Sequence, residues 1–274
     1  VTTVRPLGDY LREWRHRRRM SQLEFALEAD ISQRHLSFIE SGRATPSRDM
    51  LLHLAERLGV PLRDRNPMLL AAGFAPIFNE RSLQDPALVP ARHAVEMVLK
   101  GHEPYPALAV DRHWTLVAAN AAVAPLLAGV SDPAMLEPPV NVLRLSLHPQ
   151  GIAPHILNLS EWRAHLLERL RQQISATCDG ALADLLAELS TYPEPPSRRS
   201  KQTPARDYGG IVVPLELETP EGILSLFSTT TVFGTPVDIT LSELAIESFF
   251  PANEETAERL KSLSAVTKSV QSST

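Results

Sequence analysis

The chain is 274 residues long with a formal net charge of −5, long enough for two domains that each bury a core. Its one cysteine, Cys178, excludes an intramolecular disulfide and a cysteine-based metal cluster. It has no charged-then-apolar leader and no apolar run near the ~18 residues of a membrane span, so a soluble protein of a reducing cytoplasm is expected.

The charge is unevenly spread. Residues 1–75 carry twelve arginines and nine acidic residues, a net of +3, which leaves −8 for the remainder. The basic excess therefore sits at the front, and the acidic remainder argues against a second nucleic-acid surface.

Leu7, Leu11 and Trp14 predict an amphipathic first helix, followed by the basic run Arg15 to Arg19. Ser21, with Glu24 three positions on, is a capping box for a second helix. Leu23, Ala26 and Leu27 are expected on its inward face. Asp30 stands at the following turn, where a residue tolerant of the left-handed conformation is needed. Ser32 caps a third helix, Leu36 and Ile39 continue its apolar stripe, and Gly42 closes it. Met50, Leu51, Leu54 and Leu58 give a fourth helix, capped by Ser47 and ended at Gly59. The fifth helical stretch, Leu62 to Ala72, contains Pro67, which predicts a break or fresh start at Asn66-Pro67.

The outer face of the third helix presents Gln33, Arg34, Ser37 and Phe38. Glutamine can bond adenine bidentately, arginine guanine, and a phenylalanine can touch thymine methyls. Gln22, in the first turn of the second helix, can face a phosphate. Arg43 and Arg48 suit phosphate contacts that position without reading sequence. Two short helices and a turn also occur in many α-helical proteins that bind no DNA, so the flanking pattern carries weight.

That pattern is L-x-x-W-R-x-x-R-x-M-S-Q-x-E-F-A, then I-S-Q-R-H-L-S-F-I-E-S-G-R-x-x-P-S, then L-x-x-L-A-x-x-L-G-V. It resembles the Xre-type, lambda-repressor-like helix-turn-helix family over about the first 75 residues. The resemblance implies an all-α, five-helix DNA-binding domain. It implies that Gln22 touches phosphate, that Gln33, Arg34, Ser37 and Phe38 face the groove, and that Glu40 is structural. With the cap Ser32 and the positioning Arg43 and Arg48, these form the expected DNA-contacting set. Asp30 and Phe38 depart from the family pattern, the first at a turn often held by glycine, the second where a polar base reader is common.

Beyond Phe74-Ala75-Pro76 an extended connection leads to a helix from about Pro90 to Lys100, with Ala94, Val95, Val98 and Leu99 inward. Leu108 and Val110, then Trp114, Leu116 and Ala118, alternate about Asp111-Arg112-His113 and predict a hairpin. Asn120 is expected to cap a short apolar helix to about Leu127. The order strand, turn, strand, Asn, helix is similar to the opening of a PAS-type sensor fold. Trp162, His165, Leu166, Leu170 and Ile174 share one face of a long helix, and Ala181 to Leu189 form another. Cys178 reads as a packing residue. Tyr192 to Arg206 reads as an exposed loop whose Arg198, Arg199 and Lys201 are solvated or reach phosphate. Ile211 to Leu217 and Ile223 to Phe233 predict a second hairpin about Pro220-Glu221-Gly222. Thr240 to Phe250 reads as a closing helix or strand-to-helix passage, and a helix through Leu263 precedes a polar, small-residue tail. The whole suggests one antiparallel sheet covered by helices, an α+β layer.

LLAAGFAP at 69–76, NVLRLSLHPQGI at 141–152, LNLSEW at 157–162 and TPVDITLSELAIESFFPA at 235–252 together resemble the MmyB-like ligand-binding domain fused to Xre-type regulators. The resemblance implies a PAS-like sensor whose cavity accepts a small apolar ligand, such as a fatty acid. Pocket candidates from the sheet face and its cover are Trp114, Leu116, Leu143, Leu145, His148, Leu224, Leu226 and Phe233; apolar alternation marks an inner face, and core packing fits each of them as well. His148 can orient a polar head group.

The expected organisation is a DNA-binding domain at 1–75, a connection at 76–94, a sensor at 95–260 and a disordered tail at 261–274. The leading reading is a ligand-responsive transcriptional regulator: a homodimer in the bacterial cytoplasm, associated with the nucleoid, binding a palindromic double-stranded operator, with no membrane contact. No zincin motif, G-x-S-x-G elbow, phosphate-binding glycine loop or metal-spaced His/Cys set is present, so no catalytic residue, metal or cofactor is expected. Two alternatives stay open for the second part: a protein-interaction or dimerisation module, and an unrecognised enzyme domain.

Overall fold

A computed structural model describes residues 5–193, 213–234 and 238–271, and their side chains up to 264. The chain divides into two compact units. Unit 1 comprises 1–82 with 235–242, and unit 2 comprises 83–234 with 243–274.

Unit 1 holds α1 (Leu7–Arg17), α2 (Gln22–Glu28), α3 (Gln33–Glu40), α4 (Arg48–Arg57) and α5 (Leu62–Ala71). The caps are local and legible. Ser21, Ser32 and Ser47 each accept the backbone N–H three residues on, and Glu24 completes a capping box at Ser21. Each such cap contributes about 1 kcal/mol. Asp30 takes φ 52° and Gly42 φ 73°, the left-handed turns that separate α2 from α3 and end α3. Leu11, Phe25, Leu36, Ile39, Leu51, Leu54 and Met68 interlock as the core.

Two expectations fail here. Leu23 and Leu27 are 52% and 72% exposed, and Phe25, Ala26 and Ala29 face inward instead. In a helix of under two turns, the bulky Phe25 sets which side faces the core. The helix also continues through Pro67. Pro67 removes only the N–H that would have bonded Arg63, and Asn66 braces the turn by accepting from Ile77 and Phe78 N–H and donating to the Phe78 carbonyl.

The short helix α10 (Ile239–Ser242) belongs to unit 1. Ile239 N–H donates to the Asn79 carbonyl at 2.8 Å and Thr240 Oγ1 to the Arg81 carbonyl at 2.6 Å. Asp238, its side chain 1% exposed, pairs with Arg81 and caps Thr240.

Unit 2 is built on β1 (Ala107–Val110), β2 (Leu116–Ala119), β3 (Leu215–Thr219), β4 (Gly222–Val232) and β5 (Ala245–Pro251), in the order β2-β1-β5-β4-β3. Every pairing is antiparallel. The helices are α6 (Val89–Gly101), α7 (Val142–Leu147), α8 (Leu159–Thr177), α9 (Gly180–Thr191) and α11 (Glu254–Gln271). This is an α+β arrangement, one antiparallel sheet with helices, as a PAS-like fold requires. Phe250 stacks on Phe227 on one sheet face; the alternate residues Glu247, Phe249 and Ser228 look into a cavity on the other.

Several sequence expectations change here. AIESFFP, expected within a closing helix or a strand-to-helix passage, is β5, the central strand, paired with both β1 and β4. Its mid-strand Glu247 hid the alternation. Trp114 is not a strand residue; it lies in the hairpin turn at φ 66°. Asp111 fixes that turn by accepting from His113 and Thr115 N–H. Asn120 precedes a 3-10 segment, but its side chain does not cap it. It accepts from Ala107 N–H and donates to the Leu99 and Tyr105 carbonyls, tying β1 to the end of α6. Val98 points outward while Val95 and Leu99 are buried. Cys178 ends α8 in the left-handed region and is exposed. The helix that follows β5 runs to Gln271, across most of the stretch expected to be disordered. The proposed phosphate-reaching Arg198, Arg199 and Lys201 lie outside the described residues.

Candidate nucleic-acid interface and ligand cavity

The third helix is anchored from below. Leu36 and Ile39 are buried in the core, and the buried Glu40 carboxylate takes two hydrogen bonds from Arg15 of α1, at 2.8 and 3.0 Å. Gln22 donates its amide N–H to the same carboxylate at 2.8 Å. Burial pushes Glu40 up, but Arg15 and Gln22 outweigh it and hold the group below its ordinary value. Glu40 is thus a charged staple joining α1, α2 and α3.

What α3 leaves outward is Gln33, Arg34 and His35, all exposed, with Ser37 and Phe38 half-buried. Phe38 has two guanidinium groups near its ring, Arg34 at 5.4 Å and Arg43 at 6.0 Å from the centroid. Its carbonyl also accepts the N–H groups of Arg43 and Ala44, which curls the chain after Gly42 back beside the ring. Arg48, at the start of α4, lies over Phe74. Among the described residues Arg34, Arg43 and Arg48 pair with no carboxylate, whereas Arg5, Arg12, Arg15 and Arg17 all do. The charges around α3 are therefore available to an external anion. Gln22 has one N–H committed to Glu40, and the hydroxyl of Ser32 accepts from His35 N–H.

Unit 2 encloses a cavity of about 100 Å³ between the sheet and the helices over it. Its walls are apolar: Leu108 of β1, Trp114 of the hairpin turn, Leu143 and Leu145 of α7, and Trp162 and Leu166 of α8. One corner is charged. Arg169 of α8 bonds the Glu247 carboxylate of β5 through Nη2 at 2.8 Å and Nη1 at 3.2 Å, and also stands over the Trp114 ring at 4.9 Å. Burial and the Arg169 charge hold the neighbouring His165 below its ordinary value of 6.5, so it is neutral at neutral pH.

Two family models fit these two halves. A helix-turn-helix model matches residues 11–64, and the MmyB-like transcription regulator ligand binding domain matches residues 91–263, well over half of the chain. The chain belongs to the MmyB-like transcription regulators. It is a DNA-binding transcription regulator with a ligand-binding domain, and both matched families are regulator domains. No curated protein matches it. A solved structure described as an RNA-binding light-oxygen-voltage receptor is 14% identical with a TM-score of 0.25, and the comparison covers 95% of this chain and 64% of that one. At that score it carries no argument.

In this MmyB-like regulator, Trp114, Leu116, Leu143 and Leu145 come together on the cavity wall. His148, Leu224, Leu226 and Phe233 do not. His148 is turned away, packed edge-on against Tyr192 at 5.0 Å, its Nδ1 accepting from Gln150 N–H. The residue ends α7, so its side chain leaves the wall that Leu143 and Leu145 form. Leu224 and Leu226 are fully buried core residues, and Phe233 lies past the end of β4. The sequence reading missed Arg169, Glu247 and Ser228. Glu247 had one signal, a lone carboxylate amid apolar residues, which was absorbed into the reading of 240–250 as a closing helix or strand-to-helix passage. Among the described residues no cluster of three or more His, Cys, Asp or Glu could hold a metal, and no helix is long and apolar enough to cross a membrane.

Proposed function

We propose that this regulator docks α3 in the DNA major groove and changes its hold on an operator when a small, mainly apolar molecule fills the cavity of unit 2. The observation that carries the reading is the exposed Gln33–Arg34 edge of α3, flanked by Arg43 and Arg48 with no carboxylate to satisfy them. Gln33 and Arg34 are the base readers, Ser37 adds a groove contact, and Gln22, Ser32, Arg43 and Arg48 bond phosphates. Phe38 holds the Arg34 and Arg43 side chains in place and offers its ring to a thymine methyl.

A single unit with a net of +3 makes few phosphate contacts and binds weakly at physiological salt. A homodimer on a palindromic operator, with half-sites about one helical turn apart, supplies the missing contacts. The protein then works in the bacterial cytoplasm on nucleoid DNA, without turnover chemistry of its own.

Selection of bound duplexes from a random library tests DNA binding, half-site spacing and symmetry together. Against the selected site, Arg34→Ala is expected to relax preference at one position per half-site, a loss of roughly 1–3 kcal/mol of discrimination. Unchanged preference would sink the docking of α3.

A further inference from the structure

The cavity is apolar except at one corner, and that corner is not a bare cation. The Glu247 side chain is 5% exposed. Its Oε1 accepts from Arg169 Nη2 at 2.8 Å and from Thr230 Oγ1 at 2.8 Å, and Arg169 Nη2 also lies 2.9 Å from Thr230 Oγ1. The pair is closed on itself and electrically neutral. Thr230 faces Glu247 across β4 and β5, so the strand register holds the arrangement.

The corner is also incompletely bonded. Glu247 Oε2 receives only the longer Arg169 bond, at 3.2 Å. Arg169 Nε–H and the second N–H of Nη1 have no partner among the described residues. The hydroxyl of Ser228, on the cavity wall two positions before Thr230, has none either. The corner therefore offers Arg169 donors beside a spare acceptor on Glu247, with the Ser228 hydroxyl two positions along β4 on the same cavity wall.

We propose that this corner reads an uncharged ligand head that both accepts and donates hydrogen bonds, a carboxamide above all, and discriminates against the corresponding carboxylate. The inference rests on the reading of the cavity as a ligand site. A carboxamide oxygen takes the Arg169 and Ser228 donors while its N–H meets Glu247 Oε2. A carboxylate can use only the donors, and it brings a second negative charge beside Glu247 in a low-dielectric pocket where Arg169 is already neutralised. The apolar chain expected of a fatty-acid-like ligand is kept and its head is changed. At about 100 Å³ the cavity is smaller than the roughly 150 Å³ that takes up benzene, so even a six-carbon chain enters only as the walls give way, and short chains are the ones to test.

Hexanamide and hexanoate, titrated at pH 8 into the full chain, give a matched pair. Trp114 and Trp162 both line the cavity and supply a fluorescence signal, with calorimetry as the second readout. Hexanamide is expected to bind at least tenfold tighter. Glu247→Gln is expected to raise hexanoate affinity at least tenfold and narrow the gap. Ser228→Ala is the milder variant and is expected to weaken hexanamide several-fold while leaving the fold intact by circular dichroism. Hexanoate binding as tightly as hexanamide, or more tightly, to the unaltered chain overturns the head-group assignment and leaves the cavity as a ligand site. Binding of neither compound overturns both.

Discussion

Glu40 shows how much one residue organises. It is buried, yet it is held ionised by Arg15 and Gln22, and those bonds gather three helices. Glu40→Ala leaves the Arg15 guanidinium buried without its partner, which is expected to cost about 3–5 kcal/mol of stability, read as a lower urea midpoint for the full chain. The folded carboxyl titrates below its ordinary value of 4.5. Its stabilisation is therefore complete above that value and disappears as pH falls through the lower, folded one. Glu40→Gln is expected to flatten the acid limb of the stability profile below pH 4.5 relative to the unaltered chain. An unchanged acid limb would mean that the staple carries no net charge linkage.

At the scale of elements, α1 and α3 meet more closely than side chains allow. A Cβ placed on Gly8 would lie 2.1 Å from the Glu40 carbonyl oxygen. That carbonyl also accepts from Arg12 Nη2 at 2.9 Å, so it cannot move aside freely. Gly8→Ala is expected to cost about 1–3 kcal/mol through overpacking and to tilt α3, lowering DNA affinity along with thermal stability. Full stability with full affinity would show that the two helices separate without strain. Gly8 carries no such message in the sequence, because its neighbour is 32 positions away. Local chemistry, by contrast, was readable: Ser21, Ser32 and Ser47 as caps, Asp30 and Gly42 as left-handed turns. The same division holds in the sensor. Of the pocket candidates, Trp114, Leu116, Leu143 and Leu145 line the cavity, although Trp114 does so from a turn and Leu143 and Leu145 from a helix; a cavity is a property of how elements fail to fill the space between them. The Arg169–Glu247 pair joins residues 78 positions apart, and no spacing rule links them. Period alone also assigned Leu23, Leu27 and Val98 inward, since it gives the angle of a stripe and not what covers it.

At the scale of the whole chain, one stretch that follows β4 belongs to the other unit. After β4 the chain contributes 235–242 to unit 1, then returns to unit 2 as β5. Asp238 pins that excursion through Arg81 and Thr240, and α10 packs against α5. Glu247, the charged wall of the cavity, stands only five residues after Ser242, the last residue of α10. A ligand that displaces β5 is expected to pull on a segment packed against α5. Asp238→Ala is expected to loosen that seat. DNA affinity without ligand and ligand affinity without DNA should each change less than threefold. The factor by which ligand alters DNA affinity, commonly 5–150-fold in such coupled systems, should fall toward one. Titrating operator DNA with and without saturating ligand, in both proteins, measures it directly. Undiminished coupling in Asp238→Ala would rule out the 238–242 segment as the route and move attention to the connection at 82–83.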